Sequence, residues 1–241
     1  WQDGRGVQKI TPNVVLAYFQ ELDAKKNYKP TSLWAFYSML KSTLRTFEDL
    51  DIGQYFQVKA FLKQKSSGFK SVRANVFTEE EIRKFVMEAD DRQWLDVKVS
   101  CIFGICGAMR TDEFVRVTID DIEKHGDLFL VRILQTKTKV VRSFVISGRF
   151  FEITQRYMDL RPKNFPGRFF VNFQRGKCTV QFIGKNKFSA MPRKIAEYLQ
   201  LENQERYTGH SFRRTSATIL ANSGADMETI MRHGGWRNET C

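Results

Sequence analysis

His210 and Arg213 stand three residues apart at the start of a predicted helix, within Gly209-His210-Ser211-Phe212-Arg213-Arg214-Thr215-Ser216-Ala217. That spacing sets an imidazole and a guanidinium on one helical face. The helix follows Gly209, so its first backbone N–H groups are also free to point at an anion. A second short helix then ends on His233-Gly234-Gly235-Trp236, and far upstream Arg110-Thr111-Asp112-Glu113 closes a long apolar run. Two arginines, a histidine and an indole N–H, none needing a metal, would make an adequate clamp for a phosphodiester whose non-bridging oxygens gain negative charge in the transition state. Arginine fits because its planar fork stays charged and meets phosphate oxygens in pairs. A donor aimed at charge that develops in the transition state contributes about 3 to 4 kcal/mol.

Each residue also has an ordinary reading. Arg110 and Glu113 could form a surface ion pair one helical turn apart, His210 could be a capping or core histidine, and Trp236 could pack in a core. Lys137 lies in the turn between the two runs richest in β-formers, where a desolvated lysine beside phosphate can act as a general acid. Hairpin lysines are ordinarily solvated, and Lys139 is an obvious competitor.

The elements that must position these groups are mostly helical. Thr11-Pro12 pairs a capping hydroxyl with a proline at the first helical position, which predicts a helix over 12–25. Leu33, Phe36, Tyr37, Leu40, Leu44 and Phe47 recur at helical spacing up to the break at Asp51-Ile52-Gly53, and a shorter helix is expected over 54–62. From Lys59 through Lys63, Lys65 and Lys70 to Arg73 there is no acidic residue, and Ser66-Ser67-Gly68 sits in the middle. This reads as a solvated basic linker.

A second part opens at Thr78-Glu79-Glu80-Glu81, a capping box with Phe77 and Ile82 spaced as a hydrophobic staple. Helices are predicted to Met87, over 94–107, and from Arg110 to about Val115. The period then changes: 128–134 and 140–146 are β-rich, and with 117–119 they predict a small antiparallel sheet. Helices return over 149–158, 192–201, 211–222 and 227–233, with Gly224 closing one and Asp226 capping the next. The fold class expected is mainly α with a small antiparallel β-sheet, in two domains, 1–76 and 77–241.

The 241 residues carry 39 Lys and Arg against 27 Asp and Glu, a net charge of +12 that suits a polyanionic partner. An apolar fraction of 42% with 21 Phe excludes a disordered chain. Cys101, Cys106, Cys178 and Cys241 lack paired metal-ligand spacing, so no metal is expected and the thiols read as reduced. No apolar run approaches a membrane span and the start shows no signal-peptide pattern, so an intracellular location away from membranes is expected.

The string Gly107-Ala108-Met109-Arg110-Thr111-Asp112-Glu113-Phe114, the His210–Thr218 box and the Gly-Gly-Trp step together resemble the tyrosine recombinases of the phage-integrase family. The Arg-His-Gly-Gly-Trp wording is similar to the Crypton type of eukaryotic mobile elements, which would place the protein in a nucleus. The resemblance implies site-specific cutting and rejoining of double-stranded DNA through a 3′-phosphotyrosine, with no cofactor. Arg110, His210, Arg213 and Trp236 would hold the phosphate, Glu113 would orient them, and Lys137, the lysine of a Lys-Thr step before an apolar strand, would protonate the leaving 5′ oxygen.

It also implies a helical core-binding domain over 1–76 that closes a C-shaped clamp on DNA with the catalytic domain, and a homotetramer on DNA. Phosphate contacts are expected from Lys63, Lys65, Lys70, Arg73, Lys139 and Arg214. The nucleophilic tyrosine should follow Trp236 by two to three helical turns, and all seven tyrosines precede it. The chain is therefore expected to be C-terminally incomplete and inactive as it stands; a domesticated, non-catalytic DNA-binding relative is the alternative.

Overall fold

Thr11 and Pro12 start the first helix: Thr11 Oγ1 accepts from Val14 N at 3.4 Å, and helix α1 runs Pro12–Lys26. It ends where Asn27 adopts the left-handed conformation, φ 42°, a turn asparagine tolerates. The computed structural model describes residues 3–70, 72–134 and 141–236, and the chain divides into two compact units, Trp1–Val72 and Arg73–Cys241.

In the first unit α1 packs with α2 (Pro30–Phe47) and α3 (Phe56–Ser66). Val15 and Phe19 from α1, Leu33 and Leu44 from α2, and Val58 and Leu62 from α3 are buried together. The third helix extends further than its apolar pattern predicts, and the reason is polar. Trp34 Nε1 donates to Ser66 Oγ at 2.9 Å, and Lys65 Nζ pairs with Asp23 at 2.6 Å. Lys63 and Lys65 thus sit on a packed helix rather than in a linker, while Lys70 and Arg73 are exposed beyond its end.

The second unit takes in residues 73–76, which the sequence assigns to the first: Asn75 N donates to Arg206 O at 2.9 Å. Thr78 then caps α4 (Glu79–Glu88) reciprocally, with Glu81 N to Thr78 Oγ1 at 3.1 Å and Thr78 N to Glu81 Oε2 at 2.8 Å. Helix α5 (Asp91–Gly107) is the hub, buried without interruption from Leu95 to Gly104. Its buried Lys98 is held by Asp91 at 2.8 Å, which satisfies a charge that would otherwise be expensive to desolvate. After α6 (Thr111–Arg116), strands β1 (Ile122–His125), β2 (Leu128–Ile133) and β3 (Arg142–Ser147) form an antiparallel meander in that order.

Helix α7 (Gly148–Leu160), a hairpin of β4 (Val171–Gln174) and β5 (Lys177–Phe182), and helices α8 (Lys185–Tyr198), α9 (Ser211–Asn222) and α10 (Met227–Gly234) complete the unit. The fold is mainly helical with two small antiparallel sheets.

Three expectations are corrected. The third strand is not at 117–119 but at β1, because Thr118 donates from N and from Oγ1 to Asp121 Oδ2, each at 2.8 Å, and winds 119–121 into a tight turn. The β4–β5 hairpin was not expected. Its turn residues Arg175 and Gly176 both have positive φ, 49° and 79°, as a two-residue hairpin turn requires. Finally, α8 begins at Lys185 and carries Pro192 inside it. The missing backbone donor is tolerated because Phe188, Met191 and Ile195 bury there and Lys187 is anchored by Asp96 Oδ2 at 2.7 Å and Asn172 Oδ1 at 3.0 Å.

Cys101, Cys106 and Cys178 are free thiols. Burial pushes Cys106 up to about 12 and Cys178 to about 11, which keeps both protonated. No helix among the described residues is long and apolar enough to cross a membrane.

Candidate active site

The end of α5 is the foundation of the site. Gly107 lies under the Phe144 ring so closely that a Cβ there would fall 2.3 Å from it, so this glycine lets β3 approach the helix. Ala108 follows at φ 43° and turns the chain so that Arg110, extended at φ −80° and ψ 154°, caps α6. The Glu113 carboxylate accepts from Arg110 N at 2.8 Å and from Arg110 NH1 at 3.0 Å. Arg110 NH2 also reaches Gly235 O at 3.2 Å, which ties the start of α6 to the end of α10.

A third arginine, not singled out from the sequence, stands behind this pair. Arg142 of β3 is 8% exposed and makes a fork on Glu113, NH1 to Oε1 at 3.1 Å and NH2 to Oε2 at 2.7 Å. Its NH2 also meets Gly107 O at 2.9 Å and Ala108 O at 3.3 Å. Burial of Glu113 favours the neutral acid, yet the Arg142 bonds and charge, with the Arg110 donors, hold it below the usual carboxylate range. A signal existed for Arg142: it is in phase with the inward-facing Phe144 and Ile146, while Ser143, Val145 and Ser147 face out.

Helix α9 brings in the second cluster. Gly209 packs against α6 and α8 so tightly that a Cβ would lie 2.7 Å from Thr111 Oγ1 and 3.1 Å from Ser189 Oγ. His210, the exposed residue that precedes α9, is thereby set beside the start of α6 and one helical turn before Arg213. Arg213 is 5% exposed and its NH1 donates to Ala108 O at 2.7 Å. The Ala108 carbonyl therefore accepts from both Arg142 and Arg213.

Trp236 covers Arg213, with Cζ 4.1 Å from the ring centroid, a cation–π contact. The indole rests on Gly234, where a Cβ would come 1.8 Å from a ring carbon. Three residues on from Arg213, Ser216 Oγ donates to Ile105 O and so accepts from His233 Nε2 at 2.8 Å. Burial first, and the Arg142 and Arg213 charges after it, hold His233 below the usual imidazole range. His233 thus pins α10 to α9 as a neutral ring.

The structure brings Arg110, Glu113, Arg213 and Trp236 into one connected cluster, while His210 stands exposed at the start of α9. Lys137 and Lys139 lie outside the described residues, in the sequence between the paired Ile133 and Arg142. Arg214 is half-buried on α9, next to Arg213. The tyrosines of this unit are committed elsewhere. Tyr157 OH donates to Val171 O at 2.7 Å, Tyr198 packs edge-on against Phe85 and Trp94, and Tyr207 lies 4.6 Å from the Phe77 ring.

The chain belongs to the phage integrase family, whose model matches residues 75–241. No curated protein sequence matches it. Among solved structures it is similar to the Tn1549 transposon integrase in complex with a circular intermediate DNA, at 14% identity over 97% of this chain and 80% of that one, TM-score 0.68. A lambda integrase dimer bound to a COC′ core site is similar at 12% identity over 97% and 81%, TM-score 0.59. XerA recombinase is similar at 17% identity over 96% and 76%, TM-score 0.56. The fold is that of the tyrosine recombinases.

Proposed function

We propose that this protein is a site-specific DNA recombinase that cuts and rejoins duplex DNA through a 3′-phosphotyrosine. The observation that supports this most is that Arg110 and Arg213, far apart in sequence, both meet the end of α10, Arg110 through the Gly235 carbonyl and Arg213 under the Trp236 ring. Guanidiniums held so firmly by protein carbonyls and Glu113 do not need to reorganise when charge builds on a phosphate.

In this reading a tyrosine oxygen, its proton released to solvent, attacks phosphorus, a new O–P bond forms, and the bond to the 5′ oxygen breaks. Arg110, Arg213, His210 and the Trp236 indole N–H bind the non-bridging oxygens, and Lys137 gives the 5′ oxygen its proton. Religation is the same path reversed, with the bond energy kept in the phosphotyrosine, so no nucleotide cofactor is needed. The attacking tyrosine is none of the seven in this sequence. The first unit serves as a core-binding domain. Lys63, Lys65, Lys70, Arg73, Lys139 and Arg214 contact DNA phosphates, and the protein works as a homotetramer on DNA, inside the cell.

The test is covalent capture. Duplexes selected for tight binding are nicked near the cleavage point, so that the released strand diffuses away, and are mixed with full-length protein. A protein–DNA adduct that disappears in Arg213→Ala supports the enzyme. A non-catalytic DNA-binding derivative is the second reading, since such a protein would keep the same cationic phosphate contacts. Tight binding with no adduct on any selected sequence would establish that reading instead.

A further inference from the structure

The Glu113 carboxylate stands between two guanidiniums. It accepts the Arg110 N–H and NH1 on one side, and both arms of the Arg142 fork on the other. Without Arg142, the buried carboxylate would have Arg110 as its only described counter-charge, and the charge of Arg110 would be spent within the protein. With Arg142, the cluster of Arg110, Arg142 and Arg213 holds three guanidiniums to one carboxylate. The adjacent Asp112 does not alter this balance, since it pairs with Lys185 at 2.7 Å. His233 adds no charge while it is neutral.

Resting on the recombinase reading above, we propose that Arg142 is a positioning residue for the phosphate site: it supplies the counter-charge to Glu113 and so leaves the Arg110 guanidinium for a phosphodiester. Arg142 contacts no phosphate in this scheme. It acts through Glu113, and its bonds to the carbonyls of Gly107 and Ala108 fix it in place for that task. The geometry suits the task, because a fork that fills both carboxylate oxygens also prevents the carboxylate from rotating. Because Arg142 opens β3, it also ties that strand to the arginines.

Two readouts test this. The first titrates the 241-residue chain with inorganic phosphate and follows the Arg110 and Arg213 guanidinium N–H resonances. The second is the single-turnover rate of adduct formation by full-length protein. Arg142→Met is expected to weaken phosphate binding and slow adduct formation by at least tenfold. Arg142→Lys, which keeps the charge and loses the fork, should fall between Met and the parent.

The distinguishing variant is Arg142→Met combined with Glu113→Gln. Removing the carboxylate charge removes the need for its counter-charge, so the double variant should recover most of the tenfold loss. A purely structural arginine would give no such recovery, because the Gly107 and Ala108 carbonyls would still lack their donor. Should Arg142→Met fail to fold, Arg142→Lys with and without Glu113→Gln carries the same comparison. Parent-like phosphate affinity in a folded Arg142 variant, or no recovery in the double variant, overturns the inference alone. A parent protein that neither binds phosphate nor forms an adduct brings down the recombinase reading, and this inference with it.

Discussion

Trp236 lies over Arg213 at 4.1 Å, and its ring occupies the space a side chain at Gly234 would need. The glycine pair before the tryptophan is therefore a seat. Gly234 admits the indole, and Gly235, at φ 61°, turns the chain and offers its carbonyl to Arg110.

Gly234→Ala should lift the indole off the guanidinium. Overpacking of this kind costs about 1 to 3 kcal/mol, and the adduct rate should fall by about tenfold if Trp236 donates to the phosphate. Tryptophan fluorescence with single-turnover kinetics checks this. An unchanged rate with a displaced ring would remove Trp236 from the mechanism.

Arg213→Ala removes a buried donor from the Ala108 carbonyl and a cation from the proposed phosphate site. Loss of a preorganised donor costs about 100- to 1000-fold in rate. Equilibrium DNA binding should weaken far less, because binding spread over the other proposed phosphate contacts depends little on any one of them. Filter binding at several salt concentrations, beside adduct kinetics, separates the two effects.

Lys137 and Lys139 can be told apart through the leaving group. General acid catalysis contributes about 100- to 10,000-fold, so Lys137→Ala should slow cleavage by that order. A substrate with sulfur in place of the 5′ bridging oxygen needs no proton to depart and should restore the rate. Lys139→Ala should cleave near the parental rate on both substrates.

Acidification should loosen the second unit through His233. Its folded pKa lies below the ordinary 6.5, so as pH falls past that value the unfolded chain takes up the proton first. Stability is therefore complete above about pH 6.5 and declines as pH drops through the folded pKa. Glu113, lowered from 4.5, adds a second decline with the same sign in more acid solution. Thermal unfolding between pH 5 and 8 should show a flatter curve for His233→Gln, which can still donate to Ser216.

Helix starts were the most legible feature, because a cap is a local exchange: Thr11 with Val14, Thr78 with Glu81 and Asp226 with Thr229 each close within three residues. Arg110, Glu113, Arg213 and Trp236 stand out in the sequence because phosphate chemistry restricts the residue type, and the structure joins them in one cluster. The illegible parts depend on partners distant in sequence. Residues 117–119 have β-forming side chains, but the Asp121 carboxylate captures Thr118 before a strand can form. Pro192 marks a helix start by its own chemistry, yet the buried surface around it extends α8 upstream. Arg142 reads as one more basic residue after Lys137 and Lys139, until β3 is paired and turned inward.

The carbonyl of Ala108 receives one arginine from a strand and another from a helix near the far end of the chain. The three meet only when α5, β3 and α9 are packed together, so a partly folded chain lacks the proposed phosphate site. Phosphate or DNA should accordingly act as a folding ligand, protecting only the fully assembled unit and raising its unfolding midpoint in proportion to the logarithm of its concentration once it is well above Kd.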